Sequence, residues 1–96
     1  MAAYLIANIE VTDAHAFQEY RDKVPAVIAA HGGRYLVRGG AVERLEGDTA
    51  LQRVVVLEFP DMAKLRAFYD SPEYQQLIAL RKKGSRAQLF AVEGIA

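Results

Sequence analysis

The sequence predicts an α+β protein with elements in the order βαββαβ, and three features of the chain lead to that class. Strand-like stretches rich in β-branched and aromatic residues open and close it. Amphipathic helical stretches, bounded by capping residues and glycines, separate the strands. An unbroken apolar run, Val54-Val55-Val56-Leu57, marks a strand covered on both sides. With 96 residues, 52% hydrophobic and 25% charged, the chain has the size and mixture of one domain spanning 1–96, with no repeat, linker or charge run to divide it.

Tyr4 to Val11 sets Leu5, Ala7, Ile9 and Val11 on one face and Tyr4, Ile6, Asn8 and Glu10 on the other, the two-residue period of a strand. Thr12 and Asp13 offer N-cap oxygens, and Phe17, Tyr20, Val24, Val27, Ile28 and His31 recur at helical spacing up to the stop Gly32-Gly33. Pro25 lacks an amide hydrogen and crowds the preceding turn, so a kink or break is expected near Asp22 to Val24. Arg34 to Arg38 reads as a second strand, interrupted at Gly39-Gly40, resumed over Ala41 to Leu45 and turned at Glu46-Gly47-Asp48. Arg53 to Phe59 is the third strand, ended by Pro60. Asp61 caps a helix carrying Met62, Leu65, Phe68 and Tyr69, and Ser71-Pro72-Glu73 restarts helix, with Pro72 at a first-turn position where its missing donor costs little. Gly84 ends this piece, and Gln88 to Glu93 forms the last strand.

Such an order is that of the ferredoxin-like sandwich, in which two right-handed crossovers place both helical layers on one face of a four-stranded antiparallel sheet. The strands are apolar on their second face too, and no element remains to cover it. The expectation is therefore a homodimer in which two sheets pack face to face into a dimeric α/β barrel.

Composition removes several classes of function. Twelve Lys and Arg balance twelve Asp and Glu, so no net field attracts nucleic acid or an anionic membrane surface. There is no cysteine, hence no disulfide, thiolate nucleophile or cysteine-ligated metal. The N-terminal apolar stretch is broken by Asn8 and Glu10, which argues against a signal peptide or membrane anchor and makes a cytoplasmic location the expectation.

Arg38-Gly39-Gly40, Leu45-Glu46-Gly47, Val56-Leu57-Glu58-Phe59-Pro60, Tyr69-Asp70-Ser71-Pro72-Glu73-Tyr74 followed by Arg81, and Val92-Glu93-Gly94 together resemble the motif string of the uncharacterised "domain of unknown function" family numbered 1330. The resemblance covers nearly the whole chain. It implies a member of the dimeric α/β-barrel superfamily, which includes cofactor-free monooxygenases of aromatic polyketides, lactone isomerases and haem-binding branches. A fold is implied more firmly than an activity.

Several polar residues stand where the pattern calls for apolar ones. Asn8, Glu10, Glu58 and Arg38 fall on strand faces, and Arg38 and Glu58 are expected to pair, either as a structural bridge or as a pair facing a ligand. Arg81 shares the inner stripe of the last helix with Tyr74, Leu77 and Ile78, while Tyr69 ends the stripe of the helix before. Arg38, Tyr69, Tyr74 and Arg81 are thus the candidate ligand-binding residues, aromatic walls with a cationic end suited to a small carboxylate or phenolate; the alternative is that Arg81 caps its helix and the tyrosines pack. Glu58 and His31 are the candidate proton-transfer groups, although His31 suits a helix-capping role better. His15 and His31 lack metal-ligand spacing and His31 is the lone candidate axial ligand for haem, so no metal and no cofactor are expected. Ser71 reads as a helix cap rather than a nucleophile, and Gly39-Gly40 opens no helix to hold a phosphate.

Two functions remain open. One is a small-molecule enzyme without cofactor, an oxygenase or isomerase acting in a pocket between helices and sheet. The other is a non-catalytic dimeric module that binds a metabolite or a protein.

Overall fold

The computed structural model describes residues 1–95, whose elements run β1 (Ala3–Val11), α1 (Ala14–Ala30), β2 (Arg34–Arg38), β3 (Arg53–Phe59), α2 (Met62–Asp70), α3 (Pro72–Gly84) and β4 (Ser85–Glu93). The four strands form one antiparallel sheet in the order β2-β3-β1-β4. All three helices lie on one face, which gives a slab of 32 × 31 × 16 Å. This is the ferredoxin-like α+β architecture.

Local chemistry sets the helix ends. Asp13 accepts the Ala16 amide at 3.1 Å, Asp61 accepts the Lys64 amide at 2.8 Å, and Ser71 closes α2 while its hydroxyl accepts the Tyr74 amide of α3 at 3.2 Å. At the C-terminus of α1, Gly32 takes φ +78° and its amide and that of Gly33 bond the carbonyls of Ala29 and Ile28. Gly84 lies so close to α1 that a Cβ there would stand 2.6 Å from the Phe17 amide nitrogen and 2.7 Å from the Asp13 carbonyl oxygen. Its own carbonyl accepts the amides of Thr12 and Asp13 at 2.8 and 3.1 Å, locking the end of α3 to the start of α1.

The core lies between sheet and helices. Ala3, Leu5, Ala7 and Ile9 of β1 and Val55, Leu57 and Phe59 of β3 meet Phe17, Tyr20, Val24 and Ile28 of α1, Leu65 and Phe68 of α2, and Tyr74 and Leu77 of α3. Each such aliphatic or aromatic side chain contributes about 1.5–3 kcal/mol by leaving water. On the other face, Phe90 and Val92 of β4 and Leu36 and Val37 of β2 remain exposed beside the half-buried Ile6, Val54 and Val56.

Four expectations need correction. α1 runs through Pro25 for 17 residues without the break that is one of the two expected outcomes, because Tyr20, Val24 and Ile28 on either side of the proline are all anchored in the core. β4 begins at Ser85, directly at the end of α3, and pairs with β1 over its full length. Ala41 to Leu45 forms no strand. Gly39 leaves the sheet with φ +72°, and the Ala50 carbonyl and Gln52 amide just before β3 are instead bonded by the Asn8 side chain at 3.0 and 3.1 Å. Finally, Arg38 and Glu58 do not pair. Tyr35 opposes Leu57 and Val37 opposes Val56, so one extra residue is inserted at Leu36 and every later side chain of β2 changes face. Arg38 then sits opposite Val55 on the helix side, while Glu58 lies on the open face, accepting Arg34 Nε at 2.7 Å and the Tyr4 hydroxyl at 3.3 Å.

Candidate functional site

Between helices and sheet the core does not close completely. A narrow cavity, open at one end, is lined on its polar side by Tyr20, Arg21, Tyr35, Arg38, Arg53, Tyr74 and Arg81, and otherwise by core aliphatic residues and by Phe17 and Phe68. Its volume is about 40 Å³. Among the described residues no carboxylate and no histidine lines it.

The inner end is a hydrogen-bonded chain. Arg81, 5% exposed, donates from Nη1 to the Tyr74 hydroxyl at 3.1 Å, and that hydroxyl lies 3.0 Å from the hydroxyl of Tyr20. Arg81 Nε has no partner and is the one buried side-chain nitrogen or oxygen among the described residues in that condition. Among the described residues no carboxylate comes within ion-pair distance of Arg81 either; the ion pairs lie at Glu19–Lys23, Arg34–Glu58, Arg66–Asp70 and Glu10–Arg86. An always-charged guanidinium and two phenols therefore meet with hydrogens to donate and only phenol oxygens to accept them. Burial pushes the Tyr20 hydroxyl far above its ordinary range, with the neighbouring Tyr74 adding to the rise and Arg81 partly opposing it. Tyr20 thus remains a hydrogen-bond donor at any physiological pH.

Arg21, Arg38 and Arg53 form the mouth. The insertion at Leu36 brings Arg38 to this side, where its guanidinium lies over the Tyr35 ring, 4.6 Å from the centroid. Arg53 reaches it by plain strand alternation, being the first of Arg53, Val55, Leu57 and Phe59 on the core face. Burial lowers the pKa of Arg53, and the like charges of Arg21 and Arg38 lower it further. Tyr35, half-buried, is pushed up by desolvation, against the pull of Arg38 and Arg53.

Of the six residues singled out from the sequence, the structure brings Arg38, Tyr74 and Arg81 together in this cavity. Tyr69 stands outside it, in a surface groove with Leu65, Arg66 and Phe90, although its ring contacts Tyr74 at 5.5 Å. His31 caps α1, its Nδ1 3.0 Å from the Val27 carbonyl and its ring edge-on to Phe68. Glu58 is on the opposite face of the sheet, as described above. Tyr20, Arg21, Tyr35 and Arg53 were not foreseen. Strand alternation from Val55 and Leu57 pointed to Arg53, and the α1 stripe already held Tyr20; nothing local pointed to Arg21 or Tyr35.

A protein of unknown function from Rhodopseudomonas palustris shares this fold with a TM-score of 0.78 and 16% identity, covering 99% of this chain and 83% of that one. A dimeric ferredoxin-like protein of unknown function from Jannaschia sp. CCS1 superimposes with a TM-score of 0.72 at 16% identity, over 98% and 100% of the two chains. SnoaB, a cofactor-independent oxygenase from Streptomyces nogalater, does so with a TM-score of 0.67 at 12% identity, over 99% and 94%. No curated protein matches the chain in sequence. Among the described residues no helix is long and apolar enough to cross a membrane. The sequence profile described as "Domain of unknown function (DUF1330)" matches residues 2–95, and the protein belongs to that family.

Proposed function

We propose that this protein binds a small, flat, anionic molecule in the cavity between helices and sheet, as a cytoplasmic homodimer. One observation carries the ligand: Arg81 is buried with no acidic partner among the described residues and with its Nε unsatisfied. A buried charge in that state costs several kcal/mol unless something pairs with it, and a carboxylate or phenolate that enters beside Tyr74 and Tyr20 would accept from Arg81 and from the phenol that is not donating to the other. Candidate roles follow from placement: Arg81 and Tyr74 grip the anion, Tyr20 donates to it, and Arg38 guards the mouth. The dimer is supported by the apolar open face, with Phe90 57% and Val92 46% exposed, and by the dimeric assembly named for the similar Jannaschia protein.

Calorimetric titration of the full chain tests the ligand. Benzoate should bind saturably, benzamide should not, and Arg81→Met should abolish benzoate binding; equal behaviour of the acid and the amide overturns the reading. Light scattering should give about twice the chain mass, with an interface at or above the roughly 1,600 Å² of a standard complex.

A second reading adds turnover to binding. Its support is that the cavity offers donors to an oxyanion and, among the described residues, no base, an arrangement that stabilises an enolate or phenolate able to react without a cofactor, together with the likeness to a cofactor-independent oxygenase. Glu58 and His31 would then act only from outside the cavity. Oxygen uptake on addition of a phenolic ligand that binds distinguishes this from a purely binding module.

A further inference from the structure

The cavity presents two separate groups of positive charge. At its inner end stands Arg81, desolvated and tied to Tyr74 and Tyr20. At its mouth stand Arg21, Arg38 and Arg53, with exposed or half-buried guanidinium groups on three different elements, α1, β2 and β3. None of the four forms an ion pair among the described residues. One anion satisfies one end only.

The mouth is also a built feature and not three loose side chains. Arg38 faces the cavity only because the sheet accommodates an extra residue at Leu36, and it is held against the Tyr35 ring. Gly39, at φ +72°, clears the space in which Arg53 lies; a Cβ at that position would collide with the Arg53 guanidinium. Converging like charges repel, and the repulsion is relieved when an anion sits among them.

We propose that the ligand of this cavity is an organic dianion, a flat apolar body with one carboxylate on Arg81, Tyr74 and Tyr20 and a second anionic group held at the mouth by Arg21, Arg38 and Arg53. The proposal rests on the anion-binding reading above and narrows its ligand class. Because the inner subsite is dry and the outer one is wet, salt screens only the outer one strongly.

The test compares isosteric pairs that differ by one charge: terephthalate against 4-carbamoylbenzoate, and fumarate against its monoamide for a smaller body. In at least one pair the dianion should bind about tenfold more tightly at low salt, and that advantage should shrink as salt is raised. Arg53→Gln and Arg38→Gln, at accessible positions where folding is easily checked by circular dichroism, should reduce the dianion to the affinity of its monoamide. Arg34→Gln, on the opposite face of the sheet, should leave the advantage intact. If both members of each pair bind equally, the second subsite is overturned and the single-anion cavity stands. If no member of either pair binds while the fold is intact, the cavity reading falls and this proposal with it.

Discussion

Replacing Arg81 with methionine is expected to make the unliganded protein more stable. Arg81 retains 5% exposure, its Nε is orphaned, and its Nη1 makes one hydrogen bond of 3.1 Å. Exchanging a buried ion pair for apolar side chains of similar volume is neutral or stabilises by about 1–4 kcal/mol, and a lone guanidinium with an orphaned donor has less to offset its desolvation than a pair has. Against this stand one charge-assisted hydrogen bond, about 1.5–3 kcal/mol, and less than about 1 kcal/mol from a cation at the C-terminal end of α3. No new orphan is created, since the Tyr74 hydroxyl keeps Tyr20 at 3.0 Å. Taking the upper part of the first range, because the guanidinium has no acid to offset its desolvation, leaves a net gain of about 1 kcal/mol. In a domain of this size that raises Tm by about 4–8 °C. Thermal and urea unfolding at fixed protomer concentration measure it, fixed because dimerisation makes apparent stability concentration-dependent. A loss of about 2 kcal/mol or more would refute the reasoning, because it would mean that Arg81 holds the fold together rather than awaiting a ligand.

Three further outcomes are expected. Tyr20 and Tyr35 both have phenol pKa values raised above 10.0, so the unfolded chain loses their protons first; stability is fully present below pH 10.0 and falls as pH rises toward the folded values, by about 1.4 kcal/mol per pH unit for the buried Tyr20 and by less for the half-exposed Tyr35, and Tyr20→Phe should flatten the decline in alkaline urea titrations. Gly84→Ala places a methyl group 2.6 Å from the Phe17 amide nitrogen, between two backbones that cannot move independently, and should cost about 2–3 kcal/mol in chemical unfolding. A double-mutant cycle on Arg34 and Glu58, whose side chains are 71% and 24% exposed, should give a coupling of about 0.2–1 kcal/mol, whereas a cycle on Arg38 and Glu58 should give none; appreciable coupling in the second would contradict the change of face at Leu36.

Much of this protein is written in local patterns. The alternation of Leu5, Ala7 and Ile9, the caps Asp13, Asp61 and Ser71, and the stops at Gly32-Gly33 and Gly84 act within a few residues of themselves, so the order and ends of most elements were legible from the sequence alone. From that order follow the antiparallel sheet, the single helical layer and the apolar face left open. Tyr74 and Arg81 were legible for the same reason, because seven residues along one helix return a side chain to the same face.

The site as a whole was decided at longer range. Arg38 faces the cavity because of one inserted residue, and the strand pattern of Arg34 to Arg38 carries no mark of it; a shift by one residue reverses every side chain, so Arg38 was assigned to the wrong face and Glu58 to the wrong partner. The anchoring of the segment just before β3 likewise depends on Asn8, 42 positions away from the Ala50 carbonyl it binds. The sequence determined most of the elements and which way the helices face, since these depend on near neighbours. Only the tertiary structure decided that four arginines from four elements meet around one cavity with no acid among its described residues, because charge pairing depends on distances through space that no spacing along the chain encodes.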